Sequence, residues 1–317
     1  MNSSSRDSIF TRPLTVCLFA LFCNFLWGSA TPSIKTGYKV FQIASSDTMS
    51  VILFAGTRFI LAGILTITFG SMLNRCFLKP KRSSIREIAV LAVFQTILQY
   101  IFFYVGLAHT TGVKGAIFTS LGTFFAILFS ALIFRMEKLT SRKLLGCLIG
   151  FAGVVLVNWK GKGTDVGGFN FAGDGALILS SAASATAAAL IKRYSSKEDP
   201  VVLSGYQFFL GGLVLASAGA LGGGRLAPVS ASSWILMLYL GFISAAAYSI
   251  WGILLSHNPV SSVTIYGFSN PVFGVLLSAL FLTETNSFSP LQCAAALALV
   301  CIGILIVNGA GNKKQPT

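Results

Sequence analysis

Long apolar stretches make up most of the chain, and short polar or glycine-rich connections separate them. A bilayer core about 30 Å thick is crossed by a helix of ~20 largely apolar residues. These stretches are apolar on all sides, whereas membrane-spanning strands alternate in polarity over ~10-residue segments. The pattern therefore predicts an all-α integral membrane protein with ten transmembrane helices, at residues 14–34, 49–73, 88–107, 115–134, 144–159, 175–191, 201–221, 234–255, 260–282 and 291–308.

The second half of the chain repeats the first. FAGVVLVN at 151–158 matches VCIGILIVN at 300–308, and RFILAG at 58–63 matches QFFLGG at 207–212. The offset between matched positions drifts only from 155, for Ser29 and Ser184, to 147, for Glu137 and Glu284. A duplication with small loop-length differences gives this pattern. The sequence thus predicts a five-helix repeat at 14–158, a linker at 159–170 and a second five-helix repeat at 171–308.

The odd number of helices in each repeat determines the topology. Two copies of a five-helix unit enter the membrane from opposite sides, so we expect inverted repeats related by a pseudo-two-fold axis in the membrane plane. Such folds bind a solute near the midplane between the repeats and rock around it. The first apolar stretch, preceded by Arg6 and Arg12, also has features of a secretory signal. The repeat favours a retained first helix, because cleavage would remove the partner of the sixth.

Composition agrees with a membrane protein and gives an orientation. Only 10% of residues are charged and 54% are hydrophobic, whereas a soluble protein has about a quarter charged residues. Of the 23 Lys and Arg residues, 16 lie at the termini and in the even-numbered connections. The positive-inside rule places both termini in the cytoplasm. The net charge of +14 then indicates anionic lipid as its partner, and no nucleic-acid partner is expected.

Polar and aromatic side chains inside the spans indicate a solute site. They have no water to bond there, so they bond one another or line a cavity. Taken singly, each could instead be hydrogen-bonding glue between helices, and the cluster is stronger evidence than any member. The predicted substrate-binding residues are Asn24, Trp27, Arg58, Gln95, Gln99, Tyr100, Tyr104, Thr119, Thr123, Tyr248, Trp251, Tyr266, Ser269 and Asn270.

Arg58 is the one charged side chain deep in a span. It lies nine residues from Met49, or roughly 13 Å at 1.5 Å per residue, where a charge requires a partner. Two interpretations stay open at this point. Arg58 anchors a substrate carboxylate, or it is structural and stacks on rings such as Phe54.

A second set of residues suggests helix breaks and gates: Pro32, Pro271, His109, His257, Glu137 and Glu284. Pro271 lacks an N–H and frees a carbonyl one turn earlier, at Gly267. Glu137 and Glu284 fall at opposite membrane faces, where either proton coupling or a helix-end ion pair explains them. The histidines are pH-responsive gates or helix-end hydrogen-bonding groups. No acidic residue lies in the middle of a span, which favours a facilitator or exchanger over a proton-driven pump.

Other chemistry is not supported by the sequence. The six cysteines lack metal spacing and loop pairing, so we expect neither a metal nor disulfides, and no cofactor. The spans hold no acid–base pair or nucleophile at helical spacing, which argues against an enzyme. The Gly146 and Gly150 pair favours packing within the chain over a second protomer, and hence a monomer over a dimer.

Several features together carry a family resemblance: the five-helix duplication, Arg-Phe-x-x-Ala at Arg58, Asn-Pro-Val-Phe-Gly at 270–274, and glutamates that close the fourth and ninth helices. Over residues 14–308 the chain resembles the drug/metabolite transporter superfamily, of the EamA type. The resemblance implies ten helices, a cavity built from both halves, and export or exchange of small metabolites such as amino acids across a bacterial inner membrane. One departure is Phe124, which stands where the second repeat has Pro271.

Three further functions stay open beside that expectation. An aromatic and amide lining also suits an organic cation, as in a multidrug exporter. The chain could also translocate lipids, or it could be a non-transport subunit of a larger membrane assembly. A laterally open polar groove would favour the lipid function, and a closed central cavity would not.

Overall fold

The computed structural model describes residues 9–44, 46–110, 112–158, 169–281 and 290–309. Within these ranges the regular structure is helical and contains no strand. Ten helices are long and apolar enough to cross a membrane, so the predicted number of spans is confirmed. In chain order they are α1 Pro13–Val40, α2 Thr48–Asn74, α3 Arg82–Ala108, α4 Lys114–Ile133, α5 Ser141–Asn158, α6 Phe171–Tyr194, α7 Pro200–Leu221, α8 Ser232–His257, α9 Val260–Leu277 and α10 Leu291–Asn308.

Short polar residues define where several helices begin. Asp47 accepts hydrogen bonds from the Ser50 backbone N–H at 3.1 Å and the Ser50 hydroxyl at 2.6 Å, which lower the pKa of the Asp47 carboxyl. Asp199 caps α7 by accepting from the Val201 N–H at 2.7 Å. Pro200 follows at the first helical position, where a missing N–H costs nothing.

Four of the spans depart locally from α-helix. α3 contains a π-helical segment at Val93–Leu98, α4 ends in one at Phe129–Ile133, and α6 starts with one at Phe171–Gly175. In α9 a 3-10 turn at Ile265–Phe268 contains Gly267, where Pro271 was expected to free a carbonyl. The local departure from α-helix in α9 thus lies within one turn before Pro271.

Pro32 behaves differently from Pro271. Helix α1 runs without interruption from Pro13 to Val40 and includes Pro32 in its interior. The Thr36 hydroxyl donates to the Pro32 carbonyl at 3.0 Å, within the same turn. The expectation of a helix break at Pro32 is therefore wrong.

The contacts between helices are the same when the two halves of the chain are exchanged. α2 packs on α7 and α5 on α10, each helix against its repeat counterpart. The α1 contacts with α8 and α9 are matched by α6 contacts with α3 and α4. The α2 contact with α8 is likewise matched by that of α3 with α7. Exchanging the two halves thus maps the arrangement onto itself, as a pseudo-two-fold axis requires.

Helices α2 and α7 form the centre of the molecule at very short range. A Cβ added to Gly63 would lie 2.6 Å from the Phe209 backbone nitrogen, and one on Gly212 would lie 2.6 Å from the Ile60 nitrogen. Small residues permit such close backbone approach in membrane helices. This contact brings Arg58 and its counterpart Gln207 to the interface between the repeats.

Candidate functional site

Aromatic rings from five helices touch in series at the interface between the repeats. Trp251 contacts Trp27, with centroids 5.0 Å apart, and Trp27 contacts Tyr248 at 5.0 Å. The series continues through Phe208 to Phe59 and Tyr100, with centroid distances of 4.9, 5.2 and 4.4 Å. We call these rings, together with the side chain they surround, the central cluster: Trp27, Arg58, Phe59, Tyr100, Phe208, Tyr248 and Trp251.

The central cluster lies on the pseudo-two-fold axis. Tyr100 and Tyr248, which the repeat matches, share a hydrogen bond between hydroxyls 3.1 Å apart. The matched pair Phe59 and Phe208 stacks with 17° between the ring planes. Contacts between matched residues occur only near the axis that relates them. The cluster is therefore the meeting point of the two halves.

Arg58 is the charged member of the central cluster. Its residue exposure is 4%, and it lies ten residues into α2, about 15 Å along the helix. Its Nη2 donates to the Tyr100 hydroxyl at 3.5 Å, and its Cζ lies 4.5 Å from the Phe59 ring centroid. The ion pairs within the described ranges are Lys114–Asp174, Lys143–Glu137 and Lys197–Glu87, and none includes Arg58.

The surroundings of Arg58 are phenols rather than carboxylates. The Tyr100 phenol accepts from Arg58 and shares a hydrogen bond with the Tyr248 phenol. Cation–π contacts with Phe59 and Tyr100 add to its stabilisation, each contributing of the order of 1 to 2 kcal/mol when desolvated. The ring on which Arg58 stacks is thus Phe59 rather than the expected Phe54, and this stacking leaves Arg58 Nε without a hydrogen-bond partner.

Several buried polar atoms in and near this region have no hydrogen-bond partner among the described residues. Burying such an atom costs ~1–3 kcal/mol, so native proteins leave few of them. Gln207 shows the pattern clearly: its Oε1 accepts from the Thr96 hydroxyl at 2.7 Å, while its Nε2 is unpaired. The unpaired atoms in and next to the central cluster are Asn24 Oδ1, Trp27 Nε1, Arg58 Nε, Gln95 Oε1, Tyr104 Oη and Gln207 Nε2, and the same helices also carry Thr66 Oγ1, Glu87 Oε2 and Ser204 Oγ without a partner.

The remaining residues predicted on α1 and α3 border the central cluster. Tyr104 is buried and lies 6.1 Å from the Tyr100 ring centroid. The Gln99 backbone carbonyl accepts from the Ser180 hydroxyl at 2.7 Å, which joins α3 to α6. Gln95 is buried within the π-helical segment of α3. Asn24 is buried one turn before Trp27 and donates to the Ala20 carbonyl at 2.7 Å.

The residues predicted on α4 and α9 form other contacts. Thr119 donates to the Gly115 carbonyl of its own helix at 2.8 Å, and Thr123 packs against Gly267 of α9. Ser269 donates to the Tyr266 carbonyl at 2.6 Å. Within the described ranges no ring contact joins Tyr266 to the central cluster, and Asn270 is only half-buried. The structure therefore brings together Trp27, Arg58, Tyr100, Tyr248 and Trp251, with Tyr104 at their edge.

Glu137 joins the two repeats at the membrane face that holds the termini. Its carboxylate accepts from Lys143 Nζ at 2.6 Å, from the Ser130 hydroxyl at 2.6 Å, and from both the backbone N–H and the hydroxyl of Ser261 at the start of α9. Burial alone would raise the pKa of this carboxyl, but the hydrogen bonds outweigh it and the pKa is lowered. Glu137 is thus ionised at neutral pH. We call Ser130, Glu137, Lys143 and Ser261 the termini-side latch.

A second carboxylate joins the repeats at the opposite face. Asp174, in the first turn of α6, is fully buried. It accepts from the Thr110 hydroxyl at 2.6 Å and from Lys114 Nζ at 3.1 Å, at the start of α4. We call Thr110, Lys114 and Asp174 the opposite-side latch. Helix α4 is therefore tied to the second repeat near both of its ends.

The two histidines occupy helix ends in the same manner. Each ring Nδ1 lies 2.9 Å from the carbonyl four residues earlier, Val105 for His109 and Ile253 for His257. This geometry matches a helix-end hydrogen-bonding group, which is one of the two interpretations that the sequence left open. Glu284, the expected counterpart of Glu137, lies outside the described residues.

Within the described ranges there is no group of three or more His, Cys, Asp or Glu side chains that could hold a metal ion. The six cysteines are free. A surface depression beside Lys81, Glu198 and His257 lies at the ends of α6 and α8, outside the central cluster. The candidate site is therefore the central cluster with its unpaired polar neighbours.

Sequence reasoning missed some residues of this arrangement. Phe59, Phe208 and Gln207 lie in the repeated RFILAG and QFFLGG segments, so the repeat carried the signal for them. Asp174 lies next to the predicted start of the sixth helix, where nothing in the sequence distinguishes it from the linker residues before it. Its role depends on a contact with α4 that only the packing of the repeats reveals.

Comparison with known proteins gives the family. Residues 14–159 and 171–309 each match the EamA-like transporter family. An uncharacterized transporter of Archaeoglobus fulgidus is 27% identical over 266 residues, covering 83% of this chain and 88% of that protein. A WAT1-related chloroplastic protein of Arabidopsis thaliana is 25% identical over 295 residues, covering 90% of this chain and 67% of the relative.

A solved crystal structure superimposes with a TM-score of 0.73 at 18% identity, covering 96% of this chain and 100% of that one. This likeness supports the ten-helix fold alone. The two family matches together span nearly the whole described chain. The chain is a multi-pass membrane protein and belongs to the EamA-like transporter family.

Proposed function

We propose that the protein moves a small organic metabolite across the membrane by alternating access, with the central cluster as the solute site. The observation that carries this proposal is the set of unpaired buried polar atoms beside aromatic rings on the axis between the repeats. Polar groups at membrane depth either bond one another or face a solute. Inverted-repeat transporters bind their solute at this place.

The two latches supply the gates in this mechanism. Each couples α4 to the second repeat, one through Ser261 of α9 and the other through Asp174 of α6. Opening of one latch while the other stays closed would expose the solute site to one face only. Rocking of one repeat against the other requires this exchange of contacts at the two faces.

The charge pattern supports an orientation of the protein in the membrane. Sixteen of the 23 basic residues lie on the side of the termini, which supports cytoplasmic termini in a bacterial plasma membrane. The substrate class is amino acids or related small metabolites, moved by export or exchange. The absence of an acidic side chain within the central cluster supports exchange or facilitation over proton coupling.

Counterflow of radiolabelled solutes into liposomes that contain the purified protein tests the proposal. The panel is amino acids, nucleosides and organic cations, at matched and unmatched pH. We expect Trp251→Ala and Gln99→Ala to abolish uptake while folded protein yield stays unchanged. Trp234→Ala is the matched control, because Trp234 is 46% exposed and lies outside the central cluster. Unchanged uptake in both site variants would refute the site.

A further inference from the structure

We propose that Arg58 binds a carboxylate of the transported solute, so that the site accepts organic carboxylates and rejects the matching amides and amines. This inference rests on the proposed function, because it assigns the substrate class of the same central cluster. It goes beyond that function by naming which chemical group of the solute is recognised and which residue recognises it.

The central cluster contains a buried positive charge without a negatively charged partner among the described residues. Arg58 is buried, and the two buried carboxylates of the latches are engaged elsewhere: Glu137 with Lys143, and Asp174 with Lys114. A buried charge without a counter-ion is strongly unfavourable. Phenols and ring faces reduce this penalty but supply no negative charge. A solute carboxylate would neutralise the guanidinium at the moment of binding.

Unpaired hydrogen-bond donors in and next to the central cluster also indicate an anionic group on the solute. Arg58 Nε, Trp27 Nε1 and Gln207 Nε2 are unpaired donors, and they lie on residues of the central cluster or next to it in sequence. A carboxylate is acceptor-only and can take about four hydrogen bonds. Charge-assisted bonds from a guanidinium to a carboxylate are short and strong. The unpaired acceptors Asn24 Oδ1 and Gln95 Oε1 lie outside the central cluster, whereas its own unpaired atoms, Trp27 Nε1 and Arg58 Nε, are both donors. The cluster therefore matches an anionic group better than a cationic one.

The rings define the rest of the solute. Trp27, Trp251, Phe59 and Phe208 surround the Tyr100–Tyr248 pair, and they offer apolar faces to the carbon skeleton beside the carboxylate. A cationic solute has aromatic faces available but must also approach the Arg58 guanidinium, and like charges repel. An amino acid remains compatible, because its carboxylate is the group that Arg58 takes.

The repeat provides the substitution that isolates the charge. Gln207 occupies the position that matches Arg58, on the facing helix of the same α2–α7 pair. Arg58→Gln therefore places at this site the side chain that the other repeat already uses there. Arg58→Lys keeps a positive charge but loses the planar fork that pairs with a carboxylate. Arg142→Gln, at an exposed position at the start of α5, is the matched control.

The experiment uses four probes with one carbon skeleton: 3-phenylpropanoate, phenylalanine, 3-phenylpropanamide and 3-phenylpropylamine. Binding to the purified protein is measured by tryptophan fluorescence, since Trp27 and Trp251 lie in the cluster, and by calorimetry. We expect the two carboxylates to bind and the amide and amine to bind at least 10-fold more weakly. In Arg58→Gln the carboxylate affinity should fall about 10- to 100-fold, as loss of a charged hydrogen bond predicts. Arg58→Lys should lie between, and Arg142→Gln should match the wild type.

Each outcome decides the inference. Tight binding of the amine or amide, no binding of either carboxylate, or unchanged carboxylate affinity in Arg58→Gln would overturn it. If Arg58→Gln yields no folded protein, the order of the four probes on the wild type still tests it. Counterflow separates the proposed function from this inference: Arg58-dependent binding without transport refutes the function, and transport that prefers the amine refutes the inference alone.

Discussion

Replacement of Glu137 by Gln tests whether the termini-side latch holds the two repeats together. The carboxylate accepts four hydrogen bonds, and its side chain is 9% exposed. A glutamine presents only one accepting oxygen. With its amide nitrogen in the place of Oε2, the charged bond from Lys143 Nζ is lost, whereas the Ser261 hydroxyl can accept from that nitrogen. The bonds that remain are no longer made to a charged group. The substitution keeps the size of the side chain and changes only its charge and bonding.

The expected loss of stability follows from the bond removed and the bonds weakened. A hydrogen bond between charged groups contributes about 1.5 to 3 kcal/mol, and a neutral one about 0.5 to 1.5 kcal/mol. Together they give a loss of roughly 2 to 4 kcal/mol in the free energy of unfolding. Glu87→Gln is the control, because Glu87 pairs loosely with an exposed Lys197 at 3.9 Å. Exposed pairs contribute about 0 to 1 kcal/mol.

Thermal unfolding of the purified protein measures the difference. We expect Tm to fall by roughly 5 °C or more in Glu137→Gln, and to change little in Glu87→Gln. Equal Tm values for Glu137→Gln and the wild type would show that the latch contributes no stability, and the reasoning would fail.

The pH dependence gives the same prediction a second test. Because the folded pKa of Glu137 is lowered below its usual value of 4.5, the latch contributes fully above that value and is lost as the pH falls through the lower folded pKa. The Tm difference between wild type and Glu137→Gln should therefore be constant from about pH 8 to pH 5, and shrink below about pH 4. A difference that already shrinks near neutral pH would indicate a protonating carboxyl and would favour proton coupling.

Three other substitutions have expected outcomes of their own. Gly212→Ala adds a Cβ 2.6 Å from a backbone nitrogen and should destabilise the fold by about 1 to 3 kcal/mol. Gly122→Ala is its control, because the added Cβ meets its nearest atom at 3.7 Å and should be tolerated. Equal Tm values for the two variants would contradict this. Tyr100→Phe should weaken solute affinity more than Tyr248→Phe, because only Tyr100 accepts from the buried guanidinium, and calorimetry ranks the two. Asp174→Asn should lower the free energy of unfolding by about 1 to 3 kcal/mol, and an unchanged Tm would show that the opposite-side latch is not stabilising.

Composition and the repeat predict most of the fold and part of the site. The spans follow from apolar length, and the 3-10 turn in α9 contains Gly267, whose carbonyl Pro271 leaves without an N–H partner. Tyr100 and Tyr248 are matched by the repeat, but their contact depends on which residues lie on the axis, and only the packing of the halves gives that. Arg58 stands out in the sequence because a charge at membrane depth has few explanations.

The side of its helix on which an individual residue lies could not be predicted in the same way. Tyr266 lies in a 3-10 turn, which has 3.0 residues per turn instead of 3.6 and rotates later positions away from the face expected for an α-helix. Gln95 and Gln99 are four residues apart, a spacing that puts two side chains on one face of an α-helix, but Gln95 lies in a π-helical segment that ends at Leu98. Asp174 needs Lys114 from the other repeat, and such a contact depends on how the halves pack.

The two latches at opposite faces lead to a prediction that separates their structural and transport roles. Because they lie at opposite membrane faces, the losses in the free energy of unfolding of Glu137→Gln and Asp174→Asn should add in the double variant, within about 0.5 kcal/mol. Their effects on transport should instead oppose each other. Each single variant favours opening at one face and shifts the population toward that state. The double variant weakens both and restores the balance.

The measurement is the half-saturating solute concentration from each side of the bilayer, in liposomes with one protein orientation. Weakening the termini-side latch should improve apparent affinity from that side, because the competent state is more populated, and weakening the opposite-side latch should do the reverse. The ratio of the two half-saturating concentrations should return toward the wild-type value in the double variant. A double variant whose ratio equals that of either single variant would show that only one of these contacts moves during transport, and that α4 stays attached to the second repeat at the other end.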